Sequence, residues 1–206
     1  MPGALRRMQT SQLAPGVFSM SEYTRSRRKQ ILRETEGYLE LATACTDRFS
    51  LAVATRDRVA QRALETLTRL DPASRVRSEA WLLEGLAYRV MERYADAITS
   101  LQKSADLDHH NIHTWLALGW CYKRSSRLDK AIEALEEALQ VDDHQAIVHY
   151  NLACYWSLAR NAKFAIRYLE QAFDLDPGYR ELVADESDFD PIRENPKFQE
   201  LMTVIV

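Results

Sequence analysis

The chain has 206 residues, 46% of them hydrophobic and 28% charged, with a formal net charge of −3 and only six glycines and six prolines. These proportions are ordinary for a folded protein. The scarcity of glycine and proline argues against an all-β fold with many tight turns, and the charge gives no reason to expect nucleic acid as a partner. At this length the chain holds one large domain or a short solenoid, and no apolar run approaches the roughly 20 residues that span a bilayer. Cys45, Cys121 and Cys154 are far apart and odd in number, which reads as buried reduced thiols and a cytoplasmic location.

Residues 1–20 lack periodicity and carry Pro2, Gly3, Pro15 and Gly16, the composition of a disordered tail. No unbroken apolar h-region is present, so no signal peptide is expected. Met20, followed by Ser-Glu and a helix-like run, is a second candidate start. Over residues 1–30, Arg6, Arg7, Arg25, Arg27, Arg28 and Lys29 stand against the single acid Glu22, in the plainest reading a solvated basic arm. A helical pattern begins near Ser21 and strengthens through Ile31, Leu32, Tyr38, Leu39 and Leu41; another runs from Val59 through Leu64 and Leu67 to a stop at Asp71-Pro72. Residues 21–77 therefore read as a degenerate helical unit, with an insertion or helix extension over 43–57.

From Ser78 the pattern recurs at a spacing of about 34 residues. Trp81, Trp115 and His149 align, as do Gly85, Gly119 and Ala153, then Tyr88, Tyr122 and Trp156. Ala97, Ala131 and Ala165 follow, then Leu101, Leu135 and Leu169. Helix pairs are expected at 78–91 and 94–107, 112–125 and 128–141, and 146–159 and 162–175, antiparallel because the connections are short. The middle copy, Trp115-x-x-Leu118-Gly119-x-x-Tyr122…Ala131-x-x-x-Leu135, resembles the tetratricopeptide repeat pattern. That resemblance implies an all-α, right-handed α-solenoid of three units, 78–111, 112–145 and 146–177, preceded by the degenerate unit and closed by a capping segment, 178–206. The large aromatic fills the space inside its own unit, Gly85, Gly119 and the alanines permit close helix approach, and Tyr88, Tyr122 and Trp156 pack toward the following unit. Glu84 departs from the pattern where leucine is usual, and the turns inside the units lack the frequent glycine.

After Pro177-Gly178, Asp190-Pro191 and Asn195-Pro196 each pair an N-cap residue with proline at the first helical position. They predict a short helical turn after Asp190 and a final capping helix from Pro196. The stretch resembles the ending that follows the last repeat in many bacterial repeat proteins.

Motifs for catalysis are absent: the chain has no phosphate-cradling glycine loop, no Gly-x-Ser-x-Gly elbow, no His-Glu-x-x-His and no Cys-x-x-Cys. No cofactor is expected. His109, His110 and His113 form the one cluster that suggests a metal-dependent enzyme or sensor, against the simpler reading of solvated linker histidines. Glu133, Glu136 and Glu137 with Lys130 form helix-surface charge pairs.

In tetratricopeptide arrays the first helix of each unit lines the concave side, so the resemblance assigns a peptide-binding face to Leu82, Leu86, Arg89, His113, Leu116, Trp120, Lys123, Arg124, Tyr150, Asn151 and Cys154. Positions matching the family's carboxylate clamp carry Leu82, Leu86, Ala117, Ile147 and Asn151, of which only Asn151 is polar; clamp-type recognition is rejected. Trp120 has two readings, an exposed anchor in the groove or a side chain packed beneath the N-terminal helix or the adjacent repeat. The function expected is a non-catalytic adaptor for another protein, a peptide or helix segment that is apolar with acidic flanks. The alternative within binding is a chaperone for a secreted or aggregation-prone client. A monomer or weak homodimer is expected.

Overall fold

The computed structural model describes residues 20–44 and 52–203; residues 1–19 of the expected disordered tail, Cys45 and the rest of 45–51 within the expected insertion, and the last three residues lie outside these. Among the described residues every regular element is helical. The N-terminal unit comprises α1 (Met20–Thr43), α2 (Val53–Leu67) and a single turn, α3 (Pro72–Arg75). Three helix pairs follow: α4 (Ser78–Val90) with α5 (Tyr94–Leu107), α6 (Ile112–Arg124) with α7 (Leu128–Val141), and α8 (Ala146–Leu158) with α9 (Ala162–Leu175). Each of the six lies within a residue or so of the sequence expectation. The chain continues through α10 (Tyr179–Leu182), a 3₁₀ helix (Ser187–Ile192) and α11 (Pro196–Thr203).

The boundaries follow from local chemistry. Asp71 caps α3 by accepting from the Ser74 amide at 3.0 Å, with Pro72 at the first position, where its missing N–H costs nothing. Asn161 accepts from the Phe164 amide at 3.3 Å to start α9. Inside each repeat the first helix ends on a left-handed residue: Glu92, Ser126 and Arg160, with φ of 59°, 58° and 57°. The amide one residue later closes back on the third carbonyl from the helix end (Arg93 to Tyr88, Arg127 to Tyr122, Asn161 to Trp156, each 2.9 Å). This is the Schellman arrangement, which usually places glycine at the left-handed position; here the chain forms it three times without one.

Packing within the units rests on small residues. Ala97, Ala131, Ala165, Leu101, Leu135 and Leu169 are fully buried. A Cβ on Gly85 would lie 2.6 Å from Leu101 Cγ and 3.3 Å from the Ala97 carbonyl oxygen; on Gly119 it would lie 3.1 Å from Leu135 Cγ and 3.4 Å from the Ala131 oxygen. The second unit thus has slightly more room, and the third accommodates Ala153. One buried cluster runs from α5 to α11. A second joins α1, α2 and α4, and Leu86 packs against both. Since α1 packs on α2 and both pack on α4, the N-terminal unit continues the stack.

Three sequence expectations change. Trp115 does not fill its unit: it is half-buried, and its Nε1 donates to the His109 carbonyl at 2.8 Å. The equivalent His149 is buried and pairs its Nε2 with the Asp143 carbonyl at 2.7 Å, so Nε2 carries the proton because a carbonyl can only accept. Tyr122 reaches back to the preceding unit, where its hydroxyl accepts from Gln102 Nε2 at 2.9 Å. The turn expected after Asp190 starts earlier, at Ser187, capped by Glu186, which accepts from the Asp188 amide at 3.1 Å.

Two stability predictions follow from this geometry. Gly85→Ala should lose about 1–3 kcal/mol through overpacking against Leu101, whereas Gly37→Ala, with nothing within 4 Å of its added Cβ, should gain about 0.5–1 kcal/mol. Arg160→Gly should gain roughly 0.5–1 kcal/mol by relieving the left-handed strain, and Arg160→Ala should not. Urea midpoints of the four variants check both.

Candidate functional site

The expected binding residues lie on α4, α6 and α8, but in two different environments. On α4 and α6, Leu82, Leu86 and Leu116 are half-buried, and His113 and Arg124 are exposed. Trp120 is half-buried within a cluster of rings and cations. The Arg89 guanidinium lies 5.5 Å from its ring centroid and that of Arg124 lies 5.7 Å away. Tyr94, the first residue of α5, meets the indole edge-on at 5.5 Å and accepts a hydrogen bond from Arg124 Nε at 3.3 Å. A cleft of about 460 Å³ opens beside them, bounded by Ala42 and Thr43 of α1, Arg56 of α2 and Glu92. Trp120 thus packs on one side against Tyr94 and borders the cleft on the other.

The cations of the cleft differ in their partners. Arg56 is ion-paired with Glu92 at 2.9 Å and Asp57 at 3.2 Å. Burial pushes the Arg89 guanidinium below its ordinary pKa, and among the described residues it has neither a hydrogen-bond acceptor nor an ion-pair partner. A half-buried charge in that state costs free energy that a paired one recovers.

On α8 the arrangement is closed. The segment after the last repeat lies over this helix, and Phe189, fully buried, meets the Tyr150 ring edge-on at 5.8 Å and the Phe198 ring at 5.8 Å. Tyr179 stacks on Tyr150 at 5.0 Å. Lys123, expected on a basic margin, is ion-paired with the buried Asp188 and lies 5.7 Å from the Tyr155 ring. Tyr150 and Cys154, expected to line an open groove, are buried, and Asn151 is half-buried. Arg193 holds the segment in shape by donating to the carbonyls of Ala184 at 3.1 Å and Glu186 at 2.9 Å. Tyr94, Asp188 and Phe189 were missed in the sequence reading. An aromatic inside the acidic run Glu186-Ser-Asp-Phe-Asp was the available signal that this stretch docks.

His109, His110 and His113 do not converge on one point: His109 pairs instead with Glu137 at 3.3 Å, and its ring meets Trp115 edge-on at 5.0 Å. Among the described residues, potential ligand atoms converge in Asp142, Asp143 and His144 and in Cys154, Glu186 and Asp188. The first group is a polar turn. In the second, Lys123 occupies Asp188 and the capping bond occupies Glu186. Burial pushes the Cys121 thiol up to about 12 and raises Cys154 as well, the latter helped by Asp188 and Glu186. Both are protonated thiols at neutral pH, unsuited to nucleophilic work.

Residues 76–143 match the tetratricopeptide repeat family. The fold is a tetratricopeptide solenoid. Among solved structures it resembles MamA, at 18% identity and a TM-score of 0.54 over 80% of this chain and 99% of that one. A second MamA structure, MSR-1 C2, aligns at 19% identity and a TM-score of 0.55 over 76% and 98%. YrrB, described as a TPR protein with an unusual peptide-binding site, aligns at 18% identity and a TM-score of 0.57 over 80% and 88%. A comparison with curated proteins by sequence gives no match. Among the described residues no helix is long and apolar enough to cross a membrane.

The Lys123–Asp188 pair yields a prediction, since its side chains retain only 25% and 12% exposure. Asp188→Asn should cost about 1–3 kcal/mol by stranding the ammonium, and the double variant Lys123→Met, Asp188→Leu should recover most of it, because an apolar pair carries no desolvation penalty. Equilibrium urea unfolding of the two variants makes the comparison.

Proposed function

We propose that the protein is a non-catalytic adaptor that holds a segment of another protein on the face formed by α4 and α6. The observation that carries this reading is the stripe of Leu82, Leu86, Leu116 and Trp120. These four are only half-buried, in helices whose other faces are consumed by the core, and they continue into a cleft lined by an aromatic and cations. An aromatic flanked by arginine is the composition of interface hot spots. The third repeat is not part of this face, because the chain's own C-terminal segment covers α8; the proposed contact set is therefore Leu82, Leu86, Arg89, His113, Leu116, Trp120 and Arg124. A peptide-binding site in YrrB, on a similar fold, supports the class of partner.

The test uses a photo-crosslinking side chain in the full protein in its own cells, placed at exposed His113 on α6 or at exposed Glu133 on α7. A discrete heteromeric adduct from position 113 and none from 133 is expected. The same adducts from both positions, or only adducts between copies of this chain, would overturn the assignment.

A further inference from the structure

The face of α6 and α8 already shows, within this chain, what kind of segment it accepts. At α8 the occupant is Asp188-Phe189: the carboxylate goes to Lys123, one helix away on α6, and the ring goes edge-on against Tyr150. A carboxylate next to an aromatic is thus held by a cation next to an aromatic. Toward the N-terminal end the same two ingredients recur, with no occupant among the described residues. Trp120 and Tyr94 provide the rings, and Arg89 and Arg124 flank the indole at 5.5 and 5.7 Å.

The electrostatics of this second place are unfinished. Among the described residues Arg124 hydrogen-bonds only to the neutral Tyr94 hydroxyl, and Glu92, which also attracts its charge, is ion-paired with Arg56. Arg89 has no acceptor among the described residues, although burial makes its charge costly. Guanidinium forks match a carboxylate in a bidentate, planar geometry that a stacked ring helps to pre-orient. The cleft beside them, about 460 Å³, has room for a side chain or two.

We infer that Arg89, Arg124, Trp120 and Tyr94 form a carboxylate subsite that takes an acidic residue adjacent to an aromatic or branched apolar one in a partner polypeptide. This rests on the adaptor reading and adds to it the charge that the bound segment must carry. The site differs from the positions matching the carboxylate clamp, which here hold Leu82, Leu86, Ala117, Ile147 and Asn151 and offer no cation. Arg89 is the element that discriminates, because among the described residues it has no carboxylate partner and a bound acid supplies one.

The probe is the tetrapeptide acetyl-Glu-Ser-Asp-Phe-amide, the chain's own internal occupant, set against acetyl-Gln-Ser-Asn-Phe-amide and against sodium phosphate. The readout is nuclear magnetic resonance of the Trp120 indole N–H and the Arg89 Nε–H in the full protein. The acidic peptide should shift both resonances saturably, and Arg89→Gln should weaken it at least about tenfold, the loss of one charge-assisted hydrogen bond. Arg62→Gln, an exposed arginine elsewhere, should leave the titration unchanged. Arg89→Met should fold with a Tm equal to or above that of the parent, as expected for a charge kept for a ligand and not for the fold. Equal titration by the amide peptide would overturn the carboxylate subsite while leaving the adaptor face standing. Phosphate saturating the same resonances as tightly as the peptide would replace the proposal with a general anion site. A lowered Tm for Arg89→Met would assign the arginine to structure and overturn the proposal.

Discussion

The close crossing of paired helices at Gly85, Gly119 and Ala153 is the constraint on which the rest of this structure depends. At Gly85 even a methyl would strike Leu101, and at Gly119 it would press on Leu135 and the backbone behind Ala131. The short distance brings both apolar faces into one buried layer. No unit could bury that layer alone, so each crossing also commits the chain to stacking the next unit. The turns are subordinate to it. Glu92, Ser126 and Arg160 are driven into a left-handed conformation that glycine would adopt freely, because the second helix must return at a set spacing whatever residue stands at the corner.

Stacking leaves an unfinished surface at each end, and the two ends are handled differently. Toward the N-terminus, α1 and α2 add a fourth helix pair whose cluster meets the repeats through Leu86 and α4. Toward the C-terminus, a short irregular segment lies over α8 and brings an aromatic core of Tyr150, Tyr179, Phe189 and Phe198 with one largely buried ion pair. An ion pair in such a place contributes less to stability than to register. Here it fixes which residue of the segment sits over α6 and α8.

The outcome is a face in two parts. The third repeat is satisfied from within the chain. The α4 and α6 part retains half-buried leucines, an indole and an arginine that has no acidic partner among the described residues. Burial and charge are thus uneven along one surface, and that unevenness is what locates the proposed binding face.

Much of this was legible in the sequence. The recurrence of Gly85 and Gly119, of Ala97, Ala131 and Ala165, and of Leu101, Leu135 and Leu169 determined the helix pairs and their close approach, because packing inside a repeat is a short-range condition that the same residues must meet each time. Asp71-Pro72 and Asn195-Pro196 marked helix starts through backbone chemistry that acts over three residues. Long-range pairing was not legible. That Lys123 is consumed by Asp188, 65 positions on, that Tyr150 lies beneath Phe189, that Trp115 stays half-exposed and that Arg89 has no acceptor among the described residues each depend on which segments meet in space. Periodicity specifies the face on which a residue stands but not what arrives to cover it, so only the tertiary structure decided which part of the expected groove is open.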